Sequence, residues 1–140
     1  MKKIFISSEI LIALTLIILI NIGCSKTDDS KESVAKVPVE NFSKLDVCGC
    51  NKQANIILDE STTLRKKFVD MKTFKKDVKS VKQIRSWAKN WTSLMKACFT
   101  KNGSNMWIPS DCNNMKIIEK KKEILYNLGI LIDQGEKVRL

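Results

Sequence analysis

Apolar residues recur along this chain at steps of three and four, the period of one face of an α-helix, and strand-like alternation is scarce. The first amphipathic segment starts near Asn51 and carries Ala54, Ile57, Leu58, Leu64 and Phe68 on one face. A second carries Val81, Ile84, Ala88, Trp91, Met95 and Cys98, and stops at "KNGSN", where Asn102-Gly103 is a C-terminal signal. A third follows "PSDC", with Ser110 as N-cap, and carries Met115, Ile118, Leu125, Leu128 and Ile132 up to Gly135. Between the first two, "DMKTFKKDVKS" holds neither Pro nor Gly, so a short bend within residues 71–77 is expected there. The pattern predicts an all-α domain over residues 45–140: a small up-down-up three-helix bundle.

The start of the chain follows a different pattern. Lys2 and Lys3 precede an apolar run over residues 10–20, which Ser7, Ser8 and Glu9 bound on one side and Asn21 and Gly23 on the other. A spanning helix needs about 20 apolar residues, so the run is read as a secretory signal over residues 1–23. Residues 24–44 are rich in Ser, Lys, Asp and Glu with no apolar period, the composition of a flexible tether.

The Gly23-Cys24 junction resembles the lipobox of bacterial lipoproteins, although Asn21 stands where that family prefers Leu, Val or Ile. The resemblance implies a lipid (a palmitate-type acyl chain) on Cys24 and attachment to the cell envelope. By the family's sorting rule, Ser25 after the cysteine favours the outer membrane over the inner one. "SKTDD" is similar to export tags of surface lipoproteins, which leaves surface exposure open.

Cys48, Cys50, Cys98 and Cys112 remain in the domain. An even number in an exported chain reads as a disulfide framework. In an antiparallel bundle the start of helix one, the end of helix two and the start of helix three share one end, so all four thiols converge. A Cys48–Cys50 bridge would close a very small ring, so each is expected to reach a different partner. Cys50 with Cys98 and Cys48 with Cys112 is the preferred pairing, because Cys50 lies nearer the helical core. Two other uses compete. A zinc site would normally show C-x-x-C knuckles, absent here. A redox pair at Cys48-Gly49-Cys50 resembles the Cys-Pro-Cys of the oxidoreductase of the mitochondrial intermembrane space, and would make the protein a small thiol-disulfide oxidoreductase.

Charge narrows the function further. The chain carries a net +10, and eleven basic residues lie between Leu64 and Ala97 against Asp70 and Asp77 alone. At about 100° per residue, Lys79, Lys82, Lys89 and Lys96 fall within about 60° of Lys75, with Arg85 on the flank. Trp87 and Trp91 fall on the opposite side and are expected in the core, while Arg65, Lys66 and Lys67 extend the positive field. A one-sided basic face suits an anionic lipid, a cell-wall polymer or an acidic protein. Nucleic acid is disfavoured, because the tryptophans face away from the lysines and cannot stack on bases beside them. There is no histidine, nucleophile elbow or phosphate-cradling glycine loop, so no catalytic residue, resident metal or cofactor is expected. The expectation is a non-enzymatic envelope lipoprotein with a structural or binding role. An inhibitor or immunity protein aimed at an acidic target is compatible with the same charge. Trp107, in "NGSNMWIPSDC", belongs to no helix face.

Overall fold

The computed structural model describes residues 41–140, so the signal segment, Cys24 and the tether up to residue 40 lie outside the described residues. The domain is an all-α bundle closed by two disulfides. Helix α1 spans Val47–Lys66, the short α2 Met71–Lys76, α3 Val78–Asn102 and α4 Met115–Asn127. No strand occurs among the described residues, only an isolated bridge between Ser110 and Asn113.

Each helix starts where a side chain takes up an orphan backbone N–H. Asp46 caps α1 by accepting from the Gly49 N–H at 2.7 Å, so the helix begins ahead of Asn51 and takes Cys48 and Cys50 into its first turn. Asp70 and Thr73 form a capping box on α2, which replaces the simple bend expected between the first two long helices. Asp77 ends α2 and caps α3 through the Ser80 N–H at 2.7 Å. The cap of α4 is Asn114, not Ser110, because Ser110 exchanges backbone hydrogen bonds with Asn113 in the turn that carries Cys112.

α4 also stops earlier than its apolar period suggests. Gly129 adopts φ 85° and donates to the Tyr126 carbonyl at 2.8 Å, while Ile130 donates to Leu125 at 2.9 Å. These two bonds form a Schellman end, which needs a residue that tolerates left-handed backbone. The remaining residues turn back, and a 3₁₀ segment over Ile132–Lys137 packs along α3. Gly135 is buried there, and a Cβ on it would meet Thr92 Oγ1 at 3.1 Å.

The core lies between α1, α3 and α4. Ile57 and Leu58 meet Ile84, Trp87, Ala88, Trp91 and Leu94, with Ile118, Leu125 and Ile130 closing the far side. Trp87 and Trp91 are both buried, as their face predicts. Phe42 is buried in the same core, and Lys101 Nζ donates to the Lys44 carbonyl at 2.6 Å. Residues 41–44 therefore belong to the domain and not to the tether read from composition.

Arg65 corrects the expected extent of the basic surface. It is buried, not part of an exposed field. Its Nε donates to the Leu128 carbonyl at 3.0 Å and its guanidinium donates to Phe68 O at 2.9 Å, with the Phe74 ring 5.7 Å away. One side chain thus ties the ends of α1 and α4 to the α1–α2 turn. Replacing Arg65 by Met should lower unfolding free energy by about 2–3 kcal/mol, since two part-buried carbonyls lose a charged donor. Urea denaturation measures this, and Arg65→Lys should recover only part because a single ammonium cannot reproduce the fork.

Candidate functional site

Two features of the bundle bear on function: the end that gathers the cysteines and the outer face of α3. At the cysteine end, Cys50 pairs with Cys98 and Cys48 with Cys112, at Cα separations of 6.0 and 5.2 Å. The two bridges differ in environment. Cys50 and Cys98 are fully buried, whereas Cys48 and Cys112 are both exposed, with Ser110 Oγ 3.5 Å from Cys112 Sγ. Asn102 fastens the same end, donating to the carbonyls of Leu45 at 3.3 Å and Cys98 at 3.2 Å. All four sulfurs are committed to bridges that cross between elements. No group of three or more Cys, Asp or Glu side chains among the described residues is placed to hold a metal ion.

On α3, Ile84, Trp87, Ala88, Trp91, Leu94 and Cys98 are buried, which turns Lys79, Lys82, Arg85, Lys89 and Lys96 to solvent. Lys75 is also exposed but stands on α2, beyond the break at Asp77, so it flanks the stripe and does not share its helical face. Lys89 meets Glu136, which folds back from the C-terminal segment, at 2.5 Å. Both groups of that pair are well exposed, so it contributes little stability. Lys75, Lys79, Lys82, Arg85 and Lys96 form no salt bridge among the described residues, although Asp77 feels the charge of Lys79 and Glu136 lies beside Arg85.

The two acids inside the basic segment do not neutralise it, because both are spent on helix caps. Backbone and side-chain hydrogen bonds from Thr73 hold the Asp70 carboxyl below its ordinary value, and those from Ser80 do the same for Asp77. Their carboxylates face N–H groups first, and the charges of Arg65 on Asp70 and Lys79 on Asp77 are the smaller influences.

Sequence reasoning missed a groove of about 370 Å³ between α4 and the C-terminal segment, lined by Tyr126, Ile130, Leu131 and Ile132. At its rim Asp133 accepts from Trp91 Nε1 at 2.7 Å and pairs with Lys122 at 3.1 Å, and Lys122 also meets Glu119 at 3.3 Å. Burial alone would lower Lys122, but its hydrogen bond to Asp133 and the charges of Asp133 and Glu119 hold the ammonium above its ordinary value. The lysine is a fixed cation in a closed network. Asp133 could not be linked to Trp91 from the sequence, because 42 residues separate them and the chain must turn back after α4 at Gly129 to bring them together.

The site and fold define a small disulfide-bridged helical domain with a one-sided basic surface. Compared with known proteins, the chain matches no family model, no curated protein and no solved structure.

Two measurements check this electrostatic and covalent picture. Under a mild thiol reductant, stepwise alkylation and mass spectrometry should find Cys48 and Cys112 labelled well before Cys50 and Cys98, because only the first bridge is open to an attacking thiolate. Asp70 and Asp77 have folded-state pKa values below their unfolded ones. They therefore stabilise the fold above the ordinary carboxyl range, and this contribution is lost as pH falls through the folded values. The double variant Asp70→Asn/Asp77→Asn keeps cap acceptors, and thermal melts should show it losing less stability than the parent on acidification.

Proposed function

We propose that the protein is a non-enzymatic bacterial lipoprotein, held in the envelope by lipid on Cys24, whose basic α3 face contacts an anionic envelope partner. The observation that carries this is the stripe itself: Lys79, Lys82, Arg85 and Lys96 project from one face of one long helix and form no salt bridge among the described residues. Lys75 adds to the field from α2, and the Glu136-paired Lys89 from within the stripe. Several kT of positive potential over such a stripe raises the local concentration of a polyanion and is weakened by salt. A phosphate-bearing headgroup or wall polymer fits this surface better than a nucleic acid, since Trp87 and Trp91 are buried and offer no stacking platform. The outer membrane is the favoured address, by the residue after Cys24.

Thiol-disulfide exchange through Cys48 and Cys50 is the second reading, supported only by the exposure of Cys48. Its proposed partner sulfur on Cys50 is out of reach of solvent. Cys48→Ala separates the two: loss of stability favours the binding protein, and loss of exchange with the fold intact favours the oxidoreductase.

The intact mass of the membrane-extracted protein tests the address, with a diacyl or triacyl increment on Cys24 expected. For the stripe, inorganic polyphosphate serves as the probe of the detergent-solubilised chain. At about 1 kcal/mol per basic residue, losing the charges of Lys79, Lys82 and Arg85 costs on the order of a hundredfold in affinity, and reversing all three to Glu should cost more than that. Reversing Lys116, Lys120 and Lys137 changes net charge identically and should cost far less. Equal losses in the two triple variants would show that net charge, and not this face, does the binding.

A further inference from the structure

The loop between α3 and α4 is tightly built yet aims apolar side chains outward. After α3 the chain turns at Gly103, φ 55°, and passes through a 3₁₀ turn over Gly103–Trp107. Buried Asn113 organises the loop from within. Its side-chain amide donates to the carbonyls of Met106 at 2.9 Å and Ile108 at 2.8 Å, and its oxygen accepts from Asn51 on α1 at 3.2 Å. Met106 is buried on one side of the tip, and the Cys48–Cys112 bridge fixes the other. Between these fixed points Trp107 and Ile108 are 61% and 60% exposed, followed by exposed Pro109. Phe99, with its ring 5.2 Å from that of Trp107, supports the indole from within the domain. A buried polar hub and a disulfide therefore hold two large apolar side chains in water.

The position of the loop says what covers them. On the side of α1 that leads back toward Cys24, residues 42–45 dock against the same last turns of α3. Lys44 and Leu45 accept hydrogen bonds from Lys101 and Asn102, two and three residues beyond Phe99. Lys44, Lys96 and Lys101 are exposed at the same end of the bundle as the apolar tip. An indole with an aliphatic neighbour, at a bundle end that also exposes lysines, matches the layer where acyl chains meet anionic headgroups.

We propose that Trp107 and Ile108 dock into the headgroup–acyl boundary of the bilayer that carries the Cys24 lipid. This rests on the lipid-anchor reading above. The loop seats the domain cysteine end down, as a second contact that holds by insertion where the lipid holds by covalent attachment.

Tryptophan emission reads the docking directly, because Trp87 and Trp91 are 2% exposed and Trp107 is the one open to its surroundings. The full lipid-bearing chain is reconstituted into phosphatidylethanolamine–phosphatidylglycerol vesicles whose acyl chains are brominated close to the headgroup. Flotation reports attachment. Bromolipid should remove roughly half or more of the Trp107 emission, shift the rest to the blue, and protect it from aqueous acrylamide, as for an interfacial indole. Trp107→Phe, an exposed substitution that leaves both bridges in place, should abolish the bromine-sensitive part and so assign it. A chain that floats with the vesicles while Trp107 escapes bromine and stays open to acrylamide overturns the docking and leaves the lipid anchor standing. A floating chain whose Trp107 is shielded from both quenchers also overturns it, in favour of a second copy covering the loop. A chain that fails to float removes the anchor, and with it this inference.

Discussion

The buried Cys50–Cys98 bridge is the constraint on which the rest of the structure depends. It joins the first turn of α1 to the last turn of α3 across 48 residues of sequence, at the end where the loop and the chain entry also meet. A domain of this size buries a limited core, and a cross-link of that span removes about 4 kcal/mol of unfolded-chain entropy on the chain-entropy model. Sealed from solvent, it holds the α1–α3 crossing while the exposed Cys48–Cys112 bridge deals with the loop alone. One covalent tie serves the scaffold and the other serves a surface.

The helices and the convergence of the four cysteines were legible in the sequence because both follow from period and topology, whereas the pairing rested only on a preference for Cys50 nearer the core. The face that buries Trp91 and Cys98 and exposes Lys82 and Lys89 is a matter of 100° steps, and helix ends at one pole bring the thiols together. What was not legible depended on partners distant in sequence. Arg65 belongs by composition with Lys66, and its burial becomes favourable once the Leu128 carbonyl arrives from α4 to join that of Phe68 as an acceptor. Asn113 gives no hint of being a hub until Met106, Ile108 and Asn51 surround it. The end of α4 lies between these cases. The apolar period ran through Leu128 to Ile132 and put the end of the helix at Gly135, but the left-handed backbone at Gly129 stops it earlier, and backbone geometry overrode side-chain spacing.

The two proposed surfaces divide the labour of an anchored binding protein. The stripe on α3 leads away from the cysteine end: from Lys96 back to Lys79 is about 25 Å at about 1.5 Å per residue. With the loop at the bilayer, the lysines reach into the space above it, where an extended polyanion is a better match than the headgroups below. Trp91 links this arrangement to the core through Asp133, which in turn holds Lys122.

Asp77 is at once the last cap of α2 and the first cap of α3, so no linker separates the two helices. A connection with no slack cannot absorb a change of length. One residue inserted beside it would turn α2 by about 100° against α3, carrying buried Phe74 out of the core and Lys75 to another side of the domain. Loops elsewhere in a domain accommodate drift in chain length over evolutionary time. This junction is expected to be a fixed interval, and the spacing between Phe74 and Ile84 would outlast the identity of most residues within it.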